Sequence, residues 1–551
     1  MSESGTSRLK RRNFIELAGV GGASVFLAGC LGGEDDDDDD VDDDDNGEAD
    51  EAPSPGDGTG TVTYATTITP STIDPHRVSD NLETLYAGNV YDGILSYTYE
   101  TPPEIVEGIA EDWEVDEDGT TFRFTIRDDA EFHNGDPVTA EDVAYSIERV
   151  MDLGDGFSWM WAGFIDPDQI EVENDNVVKV ELLEPFAPLL ATLPYLFVVN
   201  EDQVADEADD WLEDNDAGSG AYQLVSHDLS EEIVLERNED SWREFADEDR
   251  AFDEVVINMV PEPASVVGMM RDESADMTDE WLAFESYFDL QEEDHIWLSD
   301  EITLSPLYVF MHNQREPLDD PDFRRAISYA VDYDQIVEDI MDGLSEPMIG
   351  PMPQEARWHN PDVTQYEFDL EQAQQYLDQS EYDPEEYDLT YTYVTGLAIS
   401  ENIGLLMQTT LGEIGINLEL EAAPWSRIVE DTTSMESTSD MHSIYIGFSY
   451  ADPDNWLYPV WHTDSHGSWQ SPAWYDNEQV DQLLDDGRRT VDDDQREAIY
   501  REAQEIIADE AGGLFIHNEA QLFAINNRVG GFQDTGMMGL SHMFWHMYED
   551  I

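Results

Sequence analysis

Phe122-Arg123-Phe124-Thr125-Ile126-Arg127 and, a few residues on, Asn134-Gly135-Asp136-Pro137-Val138-Thr139-Ala140-Glu141-Asp142-Val143 decide the fold class. The first stretch alternates strictly, which puts Phe122, Phe124 and Ile126 on one face of a strand. Asn134-Gly135 marks a turn. Thr139 then caps a helix, with Asp142 in the capping-box position three residues later. Val143, Ile147 and Val150 fall on that helix's inner face. The alternation continues outward from this unit. Val62-Thr63-Tyr64-Ala65 and Val177–Leu183 read as strands. Phe323–Ile340 reads as one helix with Ile327, Ala330, Val331 and Ile336 inward. Asn402–Ile414 is a helix stopped by Gly415 and followed by the strand Ile416–Leu420. Gln495–Ala508 is a long helix leading to Leu514-Phe515-Ile516. Strands and helices alternate along the body, which predicts an α/β protein.

Composition bounds the rest. The chain has 551 residues, enough for two or three domains, and 40% of them are hydrophobic, enough for a sizeable core. The charge is unusual: 129 acidic against 23 basic residues give a formal net charge of −106. That much like charge strains a compact state at ordinary ionic strength. At about 1 M salt the Debye length falls to about 3 Å and neighbouring carboxylates hardly interact. The acidity is spread along the whole chain, a halophilic pattern. Nucleic-acid binding is excluded, because phosphate contacts need clustered Lys and Arg. No cofactor motif is present, and no P-loop or HExxH signature.

Residues 1–29 read as an export segment. Arg11-Arg12-Asn13-Phe14-Ile15 resembles a twin-arginine signal, and Leu27-Ala28-Gly29-Cys30 resembles a lipoprotein cleavage box, cut before a lipid-bearing Cys30. Cys30 is the only cysteine, so it has no disulfide partner in the chain. Leu17–Ala28 falls short of the ~20 apolar residues a spanning helix needs. Cleavage there removes Arg8, Lys10, Arg11, Arg12, Glu3 and Glu16, leaves a charge of −108 and keeps Lys179 as the one lysine. Residues 30–60 read as an acidic disordered spacer, dominated by Asp35–Asp40 and Asp42–Asp45. Asp42-x-Asp44-x-Asn46-Gly47 imitates the front of an EF-hand loop, but Pro53 stands where the bidentate Glu is required.

Several further blocks resemble one family in their expected order. Tyr91-Asp92-Gly93-Ile94-Leu95 opens the match, and Ile105 to Val115, Asp118-Gly119-Thr120 and Phe132 to Val143 continue it. Gly218-Ser219-Gly220-Ala221-Tyr222, Leu235-Glu236-Arg237-Asn238, Phe323 to Asp332 and Ile414-Gly415-Ile416 follow. Together they resemble the family 5 solute-binding proteins of ABC transporters, the oligopeptide, dipeptide and nickel binders. The resemblance implies a two-lobed clamshell of class II with an extra inserted domain. It places lobe I at 61–96, 216–305 and 516–551, the inserted domain at 97–215 and lobe II at 306–515. It further implies a lipid-anchored, monomeric receptor outside the cytoplasmic membrane, with permease and ATPase subunits as partners and peptides as default ligand. Oligosaccharides or other small organic solutes are the alternative.

Ligand-binding candidates centre on Gly447-Phe448-Ser449-Tyr450-Ala451-Asp452-Pro453. In peptide-binding relatives an Asp three residues before the acidic residue–Pro pair holds the peptide's α-ammonium. Counting back from Asp452-Pro453, that position is Ser449. A hydroxyl cannot replace the charge, so blocking a peptide's amino terminus is expected to weaken binding little, unless Asp452 or a nearby carboxylate substitutes. Tyr450, Trp425 and Trp456 are the aromatic candidates; Trp461, Trp469 and Trp474 lie close in sequence, and most of these rings are expected in the core. His462-x-Asp464-x-His466 matches no standard zinc spacing and reads as a polar loop. Arg324-Arg325 at a helix start reads as structural ion pairing, and His133 as part of a turn. No catalytic role is expected. Gly447-Phe448-Ser449-Tyr450-Ala451 nearly mimics a nucleophile elbow, but its last glycine is Ala451 and its context is not strand-turn-helix. A surface sensor is a further reading.

Overall fold

In the computed structural model, which describes residues Gly60 to Asp550, three sheets carry the molecule. The first has seven strands in the order Ile296–Ser299, Phe523–Asn526, Met277–Thr278, Thr61–Thr66, Glu254–Met259, Glu232–Arg237 and Tyr222–Asp228. Thr61–Thr66 runs parallel to both of its neighbours. A central strand of that kind is covered on both faces, and Val62, Tyr64 and Ala65 are all buried. The second sheet orders Ser345–Pro347, Gly513–Ala520, Ile302–Met311, Met441–Tyr445, Asp388–Val394 and Asn417–Ala423. Asp388–Val394 is parallel to both neighbours, while Ile302–Met311 pairs antiparallel on each side. The third sheet, Ala110–Val115, Thr121–Ile126, Val177–Leu182 and Ile165–Asn174, is antiparallel throughout.

The backbone passes from the first sheet to the second between Ser299 and Ile302 and returns between Ala520 and Phe523. These crossings lie side by side. Ile302 pairs with Ala520, and the Gln521 amide donates to the Glu301 carbonyl at 3.1 Å. Two adjacent crossings make a hinge between two lobes.

Local chemistry accounts for the elements that position this hinge. Phe122, Phe124 and Ile126 are buried and alternate with half-exposed Arg123 and Thr125. The helix Ala140–Leu153 starts at Thr139 with a complete capping box to Asp142 and ends at Gly154, whose φ of 66° favours glycine. Gly415, at φ 87°, ends the helix Ala398–Glu413 in the same way. One expectation is corrected. Phe323–Ile340 is not one helix: Pro321–Tyr329 stops at Ala330, and Asp332 recaps a short turn, Tyr333–Gln335, that runs into a π-turn, Ile336–Ile340. The Asp332 side chain accepts from the Gln335 amide, so a local cap competes with helix continuation. Ile327, Ala330, Val331 and Ile336 are still all buried.

Candidate functional site

Strand ends of the two lobes meet a C-terminal segment at one seam. On the second lobe, Met441–Tyr445 runs out into Ile446-Gly447-Phe448-Ser449. Asn455 clamps that loop: its Oδ1 accepts the Ser449 amide at 3.1 Å and its Nδ2 donates to the Gly447 carbonyl at 3.1 Å. Ser449 is half-buried, with Gly447 exposed beside it. Residues 532–547 cross here. The Met538 amide donates to the Phe448 carbonyl at 3.2 Å, and a Cβ on Gly536 would stand 3.2 Å from the Leu304 nitrogen. From the four-stranded domain's side, the Tyr97 hydroxyl accepts the Ala451 amide at 3.2 Å and donates to the Ala191 carbonyl.

The other candidates are held by the protein itself. Asp452 is 4% exposed, and Arg496 donates to both its oxygens at 2.8 and 3.0 Å. Asp454, equally buried, takes Arg488 at 2.7 and 2.9 Å and the Tyr450 hydroxyl at 2.8 Å. Burial opposes the Arg488 charge and Asp454 restores it, so its pKa is raised. Trp456 is buried, stacks on Phe448 and donates to the Leu304 carbonyl at 3.1 Å. Trp425 is 40% exposed and meets Trp469 edge-on at 5.1 Å; Trp461 and Trp474 are buried.

His462 and His466 diverge. His462 stacks on Tyr458 at 4.2 Å, whereas His466 Nε2 pairs with the Tyr475 carbonyl at 2.8 Å. Among the described residues no group of three or more His, Cys, Asp or Glu is placed to hold a metal ion. His133 pins two segments together through Asp216 at 2.9 Å and the Gly220 carbonyl at 3.1 Å. Burial lowers its pKa, but Asp216 outweighs that and raises it. Arg324 caps the Leu318, Glu510 and Ala511 carbonyls rather than pairing with a carboxylate. Arg11, Arg12 and Cys30 lie outside the described residues, and so does the acidic spacer up to residue 59. Among the described residues no helix is long and apolar enough to cross a membrane.

The first lobe brings residues to the seam that sequence reasoning missed. Asp279 and Glu280 follow directly on the strand Met277–Thr278, at the carboxyl end where α/β sheets bind ligands. Asp279 is saturated: Thr66 Oγ1, the Thr67 amide and Thr67 Oγ1 donate at 3.0, 2.5 and 2.7 Å. Glu280 accepts from Asn81 Nδ2 at 2.7 Å. Burial, with Asp279 and Asp534 nearby, pushes its pKa up to about 7. Asp534 is 4% exposed; one oxygen accepts the Gly536 amide at 2.9 Å and the other has no partner. Burial and the neighbouring Glu301 push its pKa up to about 6. Position at a strand end was the only signal available for Glu280, and Asp534 carried none.

An open depression of about 740 Å³ lies elsewhere, lined by Trp113, Arg127, Asp129 and Trp242 among others. Its walls include nothing from the second sheet or its helices, so hinge closure cannot grip a ligand there.

Comparison with known proteins agrees with this architecture. The family model for bacterial extracellular solute-binding proteins, family 5 (middle) matches residues 104–468. A probable D,D-dipeptide-binding periplasmic protein DdpA of Escherichia coli is 29% identical over 481 residues, covering 85% of this chain and 90% of its own. Among solved structures, the periplasmic binding protein DppA of Helicobacter pylori in complex with the peptide STSA aligns with a TM-score of 0.71 at 24% identity, over 90% of this chain and 98% of that one. HbpA2 of Haemophilus parasuis aligns with a TM-score of 0.78 at 19% identity, over 89% of this chain and all of the other.

Proposed function

The chain belongs to the family 5 extracellular solute-binding proteins, which are transport receptors and not enzymes, and from that premise we propose that it captures peptides between two lobes and delivers them to an ABC permease and its ATPase. The observation that carries this reading is the seam itself: strand ends of two sheets joined by two adjacent crossings, with half-exposed Ser449 between them. A ligand shifts an open–closed equilibrium only through contacts that differ between the two forms, and a cleft walled by both lobes supplies them.

We take lobe I as 61–96, 216–305 and 516–551, the inserted domain as 97–215 and lobe II as 306–515, with the hinge crossings near two of those limits. The lobe II wall is Gly447–Ser449, with Trp425 at the rim; Tyr450, Asp452 and Trp456 hold that loop in place. The receptor is a monomer tethered to the outer membrane face by a lipid on Cys30 after export through Arg11-Arg12.

Thermal shift in molar salt against di-, tri- and oligopeptides, with oligosaccharides alongside, tests the ligand class. Peptides are expected to raise the transition and sugars to leave it unmoved. A transition raised only by sugars would replace the peptide reading, and one raised by neither class would remove both.

A further inference from the structure

Buried carboxylates in this protein follow a rule. Asp74, Asp92, Asp276, Asp452 and Asp454 are each at most 4% exposed, and each carries an arginine: Arg149, Arg243, Arg528, Arg496 and Arg488 respectively. With only 23 basic residues against 129 acidic ones, these pairings take up a notable share of the cations. Other buried carboxylates are saturated by hydroxyls and amides, as Asp279 is. Burying a charge without either device is unfavourable.

Asp534 breaks the rule outright, and half-buried Glu280 near it is also without a cation, as half-buried Glu355 and Glu519 are. Among the described residues neither Asp534 nor Glu280 has a cationic partner, Asp534 keeps an open oxygen, and burial raises the pKa of each. Glu280 accepts from the Asn81 side chain, and the Asn81 backbone carbonyl lies 2.7 Å from where a Cβ on Gly539 would be, so the C-terminal segment passes over Asn81 while Asp534 is near enough to Glu280 to act on its charge. Four residues after Asp534, Met538 bonds to Phe448, the neighbour of Ser449. The spare carboxylates thus line the same seam as the serine that stands where peptide-binding relatives have an aspartate. Trp281, next in the chain to Glu280, is 56% exposed; an exposed indole face can take a cation.

We propose that the captured solute carries a cationic group, an ammonium or a guanidinium, and that Glu280 and Asp534 of lobe I receive it, with Trp281 against its face. This rests on the seam being the binding cleft, the reading given above, and it moves charge recognition from lobe II to lobe I. Molar salt screens an acidic exterior but screens a buried pair far less. Selectivity for a cation in molar salt therefore reports an interior site and not the general acidity of the surface.

Titration calorimetry on the purified protein in molar KCl tests the assignment with two matched pairs: Ala-Ala-Ala against its N-acetyl form, and N-acetyl-Ala-Arg-Ala against its citrulline isostere. The cationic member of at least one pair is expected to bind about tenfold or more tighter, and E280Q or D534N to narrow the gap to within about threefold. Both substitutions are isosteric and remove an unpaired charge, so the ligand-free melting temperature should not fall; W281A, at an exposed position, is the second check and should weaken the cationic member selectively. Peptides that bind with no preference in either pair overturn the assignment and leave the peptide reading standing. Agmatine binding that E280Q abolishes, with no peptide bound, upholds the cation site and removes the peptide reading. No binding by any of these probes overturns the assignment.

Discussion

Arg496 illustrates how few cations this chain has and where they are placed. It is 4% exposed, donates to both oxygens of Asp452 and lies against Tyr500, at 3.3 Å from the hydroxyl. Removing one partner of such a pair leaves an uncompensated buried charge, which costs about 3–5 kcal/mol. Arg496→Met should therefore lower stability by about that amount, read as the midpoint of denaturant unfolding in molar salt. Asp452→Leu combined with Arg496→Met should recover most of the loss. A single variant as stable as the parent would show that the pair is not needed to hold the Gly447–Ser449 loop. At this scale the sequence marked Asp452 as notable but could not say that its carboxylate is occupied, because its partner lies 44 residues away.

Elements were more legible. Period-two alternation identified Thr121–Ile126, and a cap three residues from its carboxylate identified Ala140–Leu153, because both signals are local. The break after Tyr329 was missed because the apolar spacing continues across it: Ala330, Val331 and Ile336 remain buried although the helix does not. One contact between elements at the seam is Tyr97, whose hydroxyl bonds to Ala191 and Ala451. Tyr97→Phe removes both bonds while keeping the ring. It should weaken solute binding by about 0.5–1.5 kcal/mol, measured by calorimetry, with a smaller change in the unfolding midpoint. A lowered midpoint with unchanged affinity would mean the hydroxyl serves folding and not closure.

For the whole molecule, the two side-by-side crossings at Ser299–Ile302 and Ala520–Phe523 let the lobes move about one line. The proposed lipid tether would raise the effective concentration beside a permease. Cys30→Ser should release the protein into the medium with its peptide affinity intact, followed by fractionation of cells and medium; retention on the membrane would count against the lipid anchor. The sequence by itself determined the α/β class and the order of the family blocks, since each depends on neighbouring residues; the export signal it suggests at Arg11-Arg12 and Cys30 lies outside the described residues. Only the tertiary structure decided which of the acidic residues among the described ones are paired, saturated or spare. Asn81, Glu280 and Asp534 meet across hundreds of residues, and whether a carboxylate is matched by a cation depends on what the fold places within about 4 Å of it, a distance that composition and periodicity do not encode.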